Sequence, residues 1–235
     1  MKSKVLKTSI GILIFLLIAA SFIAAMKPVY SKVDGAGTTT QLEILKSRTP
    51  EFLFTAEPTS SETGKFLRKM LKGEIQVTNE TAAYIFAADR NEHINGNCII
   101  EENKLITGIK SACEKGKIVV SDRYLFSSLA YQSIDCSPEI PRTLNKFFPL
   151  PRILFFFDIE PEISLKRISS RGQKEIYEKI DFLKRTKEEY EKVLAEYNGT
   201  EISKGMKIVR IDATADKEKI SRKIEEEINS IYKIF

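Results

Sequence analysis

Residues 29–41 read Val-Tyr-Ser-Lys-Val-Asp-Gly-Ala-Gly-Thr-Thr-Thr-Gln: a short β-prone run, a glycine turn and a helix start. That order suits an anion. Glycines let the main chain approach closely, and the first turn of a helix offers free N–H groups to a negative charge. The usual phosphate-loop spacing is G-x-x-x-x-G-K-[ST]. Here Gly37 keeps the second glycine and Thr39 the final hydroxyl, but Lys32 stands at the first glycine and Thr38 at the lysine. Taken alone, such a turn serves equally well as a plain strand-to-helix connection. The missing lysine removes a full charge from a transferring phosphate, an effect of roughly 3–4 kcal/mol, or 10²–10³ in rate, at comparable electrostatic sites. Lys32, at the mouth of the same loop, is the candidate replacement.

Other residues able to do chemistry follow short apolar runs. Glu57 follows the run 51–55, Asp122-Arg123-Tyr124 follows 117–121, Asp158 closes 152–158 and Asp212 closes 206–212. With 28–33, these five runs predict strands. They are short and apolar throughout, as strands buried on both faces are. Amphipathic stretches near 38–48, 61–72, 76–91, 101–115, 124–132, 138–146, 162–170, 175–196 and 217–232 predict helices between them. Strands alternating with helices predict a parallel sheet with helices on both faces, in one domain spanning 26–235. Such sheets bind ligands at the carboxyl ends of their strands. The glycine turn, the acids and Arg123 then converge on one edge, which is what phosphoryl transfer needs.

Residues 121–132 read Ser-Asp-Arg-Tyr-Leu-Phe-Ser-Ser-Leu-Ala-Tyr-Gln. This string resembles the signature of the thymidylate kinases, and the resemblance runs from about Val29 to the C-terminus. It implies an α/β fold of the P-loop nucleoside-monophosphate-kinase type: three layers, α/β/α, around a five-stranded parallel sheet. It implies transfer of the ATP γ-phosphate to dTMP, with Mg²⁺, in a cytoplasmic homodimer. By the same resemblance Arg123 touches phosphate and Asp122 lies near the metal and the acceptor phosphate, with Thr39 as the other metal contact. Asp34, Gly35, Ala36, Gly37, Thr38, Thr39 and Thr40 would hold the donor phosphates. Phe86 and Arg90, at i and i+4 on one helix face, match the family's thymine-recognising pair, and Tyr131 and Gln132 its pair beside the nucleoside. Glu57 approaches the acceptor, but Ala56 stands where the family often has an arginine. Residues 158–172 resemble the segment leading to the family's lid, near 171–178, where Arg171, Lys174 or Lys179 would close over ATP. Two other readings stay open: a nucleotide-binding relative with impaired catalysis, and a membrane-anchored module with a kinase-like fold. The acceptor stays open between dTMP and dUMP.

Residues 1–25 stand apart. Lys2, Lys4 and Lys7 precede Ser9–Ala25, a run without charge. Its shape is that of a signal peptide or short anchor. An over-extended start upstream of Met26 explains it more simply, since the first strand begins two residues later. The three lysines supply three of the five net positive charges. The remainder is near neutral, and with no basic stripe nothing points to nucleic acid. Cys98, Cys113 and Cys136 are scattered and odd in number, which favours reduced thiols over a disulfide frame or metal site. His93, the single histidine, has no nucleophile partner at recognisable spacing and is expected in a structural or surface role.

Overall fold

A computed structural model describes residues 29–32, 36–101, 104–169 and 180–232 of the chain. The apolar run 9–25, Met26, Asp34, Gly35 and the expected lid with Arg171, Lys174 and Lys179 lie outside the described residues. Among the described residues, no helix is long and apolar enough to cross a membrane. The three cysteines are free thiols.

The five apolar runs become strands β1 (Val29–Lys32), β2 (Leu53–Ala56), β5 (Val119–Asp122), β6 (Ile153–Asp158) and β7 (Lys207–Asp212). They form one sheet in the order β2-β5-β1-β6-β7, and every neighbouring pair is parallel. Successive side chains of a strand point to opposite faces. In β6, Ile153 through Phe157 are all fully buried, so both faces of the sheet are covered. One cover is visible at Phe156, whose ring lies 5.3 Å from Tyr190.

Register fixes the functional edge. Asp122 pairs with both Ala56 and Tyr30, so β5 ends level with β2. Lys32 extends further, opposite Phe157, and Asp158 sits opposite Asp212. The chain therefore leaves all five strands on the same side. Strand order reverses around β1, which is where a parallel open sheet leaves a crevice for ligands.

The helices follow the expected pattern with one correction. Helix α1 spans Thr38–Arg48, α2 Glu62–Leu71, α3 Asn79–Asn95, α5 Leu125–Asp135, α6 Glu139–Asn145, α7 Pro161–Ser169, α8 Ile180–Tyr197 and α9 Lys217–Tyr232. Helix α3 begins three residues later than expected because Thr78 caps it, its side chain accepting from the Thr81 N–H; a hydroxyl there satisfies one of the free N–H groups. The expected helix over 101–115 is overturned. An antiparallel hairpin, β3 (Ile99–Glu101) and β4 (Lys104–Thr107), occupies its first half, and only α4 (Ile109–Glu114) is helical. Short apolar runs do not separate helix from strand by period, and Ile99, Ile100 and Ile106 are β-branched residues that fit a pleat. Gly108 marks the junction. A Cβ there would lie 2.6 Å from the carbonyl oxygens of Ile94 and Gly96, so only glycine lets the hairpin return against the end of α3.

Phe156 is the centre of this arrangement. Phe156→Ala leaves a cavity between the sheet and α8, with an expected loss of about 3–5 kcal/mol. Urea unfolding should show a lower midpoint at an unchanged slope.

Candidate active site

The donor side of the edge starts at α1. Gly37 adopts φ 84°, ψ 14°, the left-handed conformation that glycine takes without penalty. It turns the chain from the loop into the helix. No side chain caps α1 and no acid lies in its first turn, so its leading N–H groups and the positive end of its dipole remain available to an anion. Thr39 and Thr40 are exposed there, whereas Thr38 is fully buried. Its side chain points into the protein, so the residue at the lysine position can meet an anion only through its main-chain N–H. Ala36 is buried beside it. Lys32 closes β1; its side chain lies outside the described residues.

Asp122 and Arg123 sit at the end of β5, next to β1. Arg123 has φ 73°, the left-handed region, unlike any other described residue with a side chain. That costs of order 1–2 kcal/mol and persists because its neighbours are pinned. The Ser121 hydroxyl donates to the Arg123 carbonyl at 2.8 Å, and the Glu57 N–H donates to the Asp122 carbonyl at 3.0 Å. The Arg123 guanidinium carbon lies 5.2 Å from the centre of the Tyr131 ring. The next residue, Tyr124, is buried and its hydroxyl donates to the Pro149 carbonyl at 3.0 Å. Burial pushes this phenol well above its ordinary range, and the nearby Glu57 carboxylate adds to the rise, so it stays a donor.

A polar cluster inside the edge joins Glu57 to Arg90. Their Oε2 and Nη2 atoms are 2.6 Å apart, and both side chains are almost wholly buried. Arg90 also donates through Nη2 to Ser128 at 3.0 Å and through Nη1 to Asn145 at 2.5 Å. The rings of Tyr124 and Phe148 lie 5.5 and 5.8 Å from its guanidinium carbon. Arg90 is thus not a cation extended into solvent. It is a fixed plane with most of its N–H groups committed, and Nε alone of its nitrogens has no partner among the described residues. Phe86, one turn earlier, is half-buried and packs on a small cluster of Leu67, Met70, Leu71 and Ala82. Tyr131 and Gln132 are buried on α5, and Gln132 Oε1 has no hydrogen-bond partner among the described residues.

Two more of the expected acids are held by partners of their own. Asp158 is held by Lys187 at 3.2 Å and Arg210 at 3.5 Å. Asp212 accepts from the Thr214 N–H at 2.9 Å and the Thr214 hydroxyl at 2.6 Å. Asp158 thus ties β6 to α8 and β7, Asp212 shapes its own turn, and Glu57 is paired with Arg90. His93 is fully buried, which removes its surface alternative. Asp89 was not expected. It accepts from the Thr59 N–H at 2.8 Å and from the hydroxyls of Thr59, Ser61 and Thr63 at 2.6, 3.1 and 2.7 Å. That carboxylate fastens the turn after β2 to α3. Ser128 and Asn145 were missed as well. The Ser-Ser pair in an otherwise apolar helix was a usable signal for Ser128; Asn145, near the end of α6, carried none.

Comparison with known proteins gives one consistent answer. The thymidylate kinase family model matches residues 33–224. A putative thymidylate kinase of Treponema pallidum is 36% identical over 200 residues, covering 83% of this chain and 91% of the relative. A probable thymidylate kinase of Methanocaldococcus jannaschii is 38% identical over 171 residues, covering 72% and 82%. The thymidylate kinase of Leptospira interrogans is 37% identical over 175 residues, covering 71% and 80%. The match spans the loop before α1, the buried Glu57–Arg90 pair and the strained Arg123 together, and the chain belongs to the thymidylate kinase family.

Proposed function

We propose that this protein transfers the γ-phosphoryl group of ATP to dTMP, giving ADP and dTDP, in a three-layer fold of the nucleoside-monophosphate-kinase type. The observation that carries the reading is the shared edge. The uncapped start of α1 and the strained Arg123 lie on adjacent strands, with the Glu57–Arg90 cluster directly beside them. Family membership supplies the acceptor, since the relatives carry the name thymidylate kinase.

The chemistry asks for alignment and charge neutralisation. A phosphate oxygen of dTMP bonds to the γ-phosphorus as the bond to the bridging oxygen breaks, and the electron pair leaves with ADP. Main-chain N–H groups from Asp34 to Thr40 cradle the donor phosphates, with Arg171 and Lys174 closing from the lid. Arg123 spans donor and acceptor, its guanidinium resting over the Tyr131 ring. Phe86 stacks on thymine; Arg90, Glu57, Tyr131 and Gln132 shape the rest of the nucleoside site. Mg²⁺ neutralises charge on the donor phosphates when bound. The residues present suit it: a magnesium ion commonly takes one or two carboxylates and completes its shell with phosphates and water, and Thr39 is exposed where Asp122 ends the neighbouring strand. We also read the protein as a cytoplasmic homodimer.

Thr38 at the lysine position favours a second reading, nucleotide binding without turnover. Two measurements separate them. In steady-state assays with ATP and dTMP, Lys32→Ala should lower kcat by about 10², and Thr38→Lys added to it should restore part of that loss. Full turnover by Lys32→Ala removes Lys32 from the role, and a wild type that binds both nucleotides without turnover establishes the second reading. For Arg123, both Arg123→Ala and Arg123→Gly should lose at least about 10² in kcat. In urea the glycine variant should be the more stable of the two by about 1 kcal/mol, because it relieves the left-handed conformation.

A further inference from the structure

His93 is the only histidine in the sequence; its side chain is fully buried, and the mechanism above does not use it. Its Nδ1 lies 3.0 Å from Glu57 Oε1, and its Nε2 lies 2.7 Å from Thr55 Oγ1. The other oxygen of Glu57 holds Arg90. A carboxylate only accepts, so Nδ1 carries the hydrogen that meets Glu57. In the neutral form of the ring the lone pair is then on Nε2, and the Thr55 hydroxyl donates to it. Thr55 is fixed in turn, because β2 pairs it with Ser121 of β5, one residue before Asp122.

We propose that His93 is a positioning residue for the acceptor nucleotide, acting through Glu57 on Arg90, with Thr55 setting the tautomer of its ring. The inference rests on reading the Phe86–Arg90 edge as the acceptor site. A carboxylate held by one oxygen can swing about its Cγ–Cδ bond. The second hold, from His93, fixes that torsion, and the guanidinium is fixed with it. Any buried imidazole needs partners for both ring nitrogens; what sets His93 apart is that one of them is the carboxylate that also holds Arg90. Thr55 matters because the ring has two neutral tautomers. Without a donor at Nε2, the hydrogen can move there and Nδ1 loses its bond to Glu57. Misplacement of a substrate-binding group by a fraction of an ångström is enough to be felt in substrate use.

The test uses the full chain without a histidine tag, labelled with ¹⁵N-histidine, so that the two ring nitrogens give single unambiguous signals. The wild type should show hydrogen on Nδ1 and none on Nε2, and Thr55→Val should shift the ring toward the other tautomer. Thr55→Val and His93→Leu should each weaken dTMP, in KM and in calorimetric Kd, by about tenfold, with KM for ATP unchanged. His93→Asn, whose amide N–H can stand in for Nδ1–H, should recover most of that loss. The idea is overturned if the wild-type ring carries a hydrogen on Nε2, alone or together with Nδ1, or if Thr55→Val changes the tautomer and leaves dTMP affinity untouched. Equal losses for ATP and dTMP would also overturn it, since they mark general loosening. If His93→Leu does not fold, Thr55→Val alone decides, being nearly isosteric. A wild type that binds dTMP without turnover defeats the proposed reaction, yet the Kd ratios still decide this inference. A wild type that does not bind dTMP overturns both.

Discussion

The ion pair between Glu57 and Arg90 is the constraint on which the proposed acceptor side depends. Neither charge reaches solvent. Removing one partner of such a pair leaves an uncompensated buried charge, at a cost of about 3–5 kcal/mol. The fold therefore has to keep both, and it has to satisfy most of their remaining bonds. It does so with contributions from distant parts of the chain: Ser128 from α5, Asn145 from α6, and His93 from the same helix as Arg90. The turn after β2, α3, α5 and α6 are consequently tied to one another through one polar cluster. The cluster is thus a preorganised plane and not a set of independent side chains.

The donor side is built by different means. Its precision comes from the main chain: the left-handed Gly37 before α1 and the left-handed Arg123 after β5. Strand register links the two sides. The Glu57 N–H bonds to the Asp122 carbonyl, so the residue that begins the acceptor cluster also pins the one beside Arg123. Asp89 reinforces the same turn from α3 with four bonds. Backbone strain at Arg123 is sustained because the segments on both sides of it cannot move.

The missing lysine gains a physical meaning from burial. A lysine at position 38 would have to carry its charge out of the place where the Thr38 side chain is wholly enclosed. The Thr38 hydroxyl sits there without a hydrogen-bond partner among the described residues. In the proposed function, neutralisation of the phosphates is therefore assigned to main-chain N–H groups, to Mg²⁺ and to cations from elsewhere in the chain.

Local pattern in the amino-acid sequence was enough for the alternation of strands and helices, the five parallel-type runs, the glycine turn before α1 and the Asp122-Arg123-Tyr124 string. Each depends on residues within a few positions of one another, so the physics that produces it is written locally. Where local signals conflicted, as at 99–107, the sequence misled, because β-branched residues in a short run suit a hairpin as well as a helix. Tertiary structure alone decided that Arg90 is neutralised by Glu57, 33 residues away, and oriented by Asn145, 55 residues away. It alone decided that His93 bonds Glu57 and Thr55, and that Asp158 is held by Lys187 and Arg210. Those outcomes follow from burial and from which strands become neighbours. Both arise only when segments far apart in the chain are packed together, and no spacing of residues encodes them.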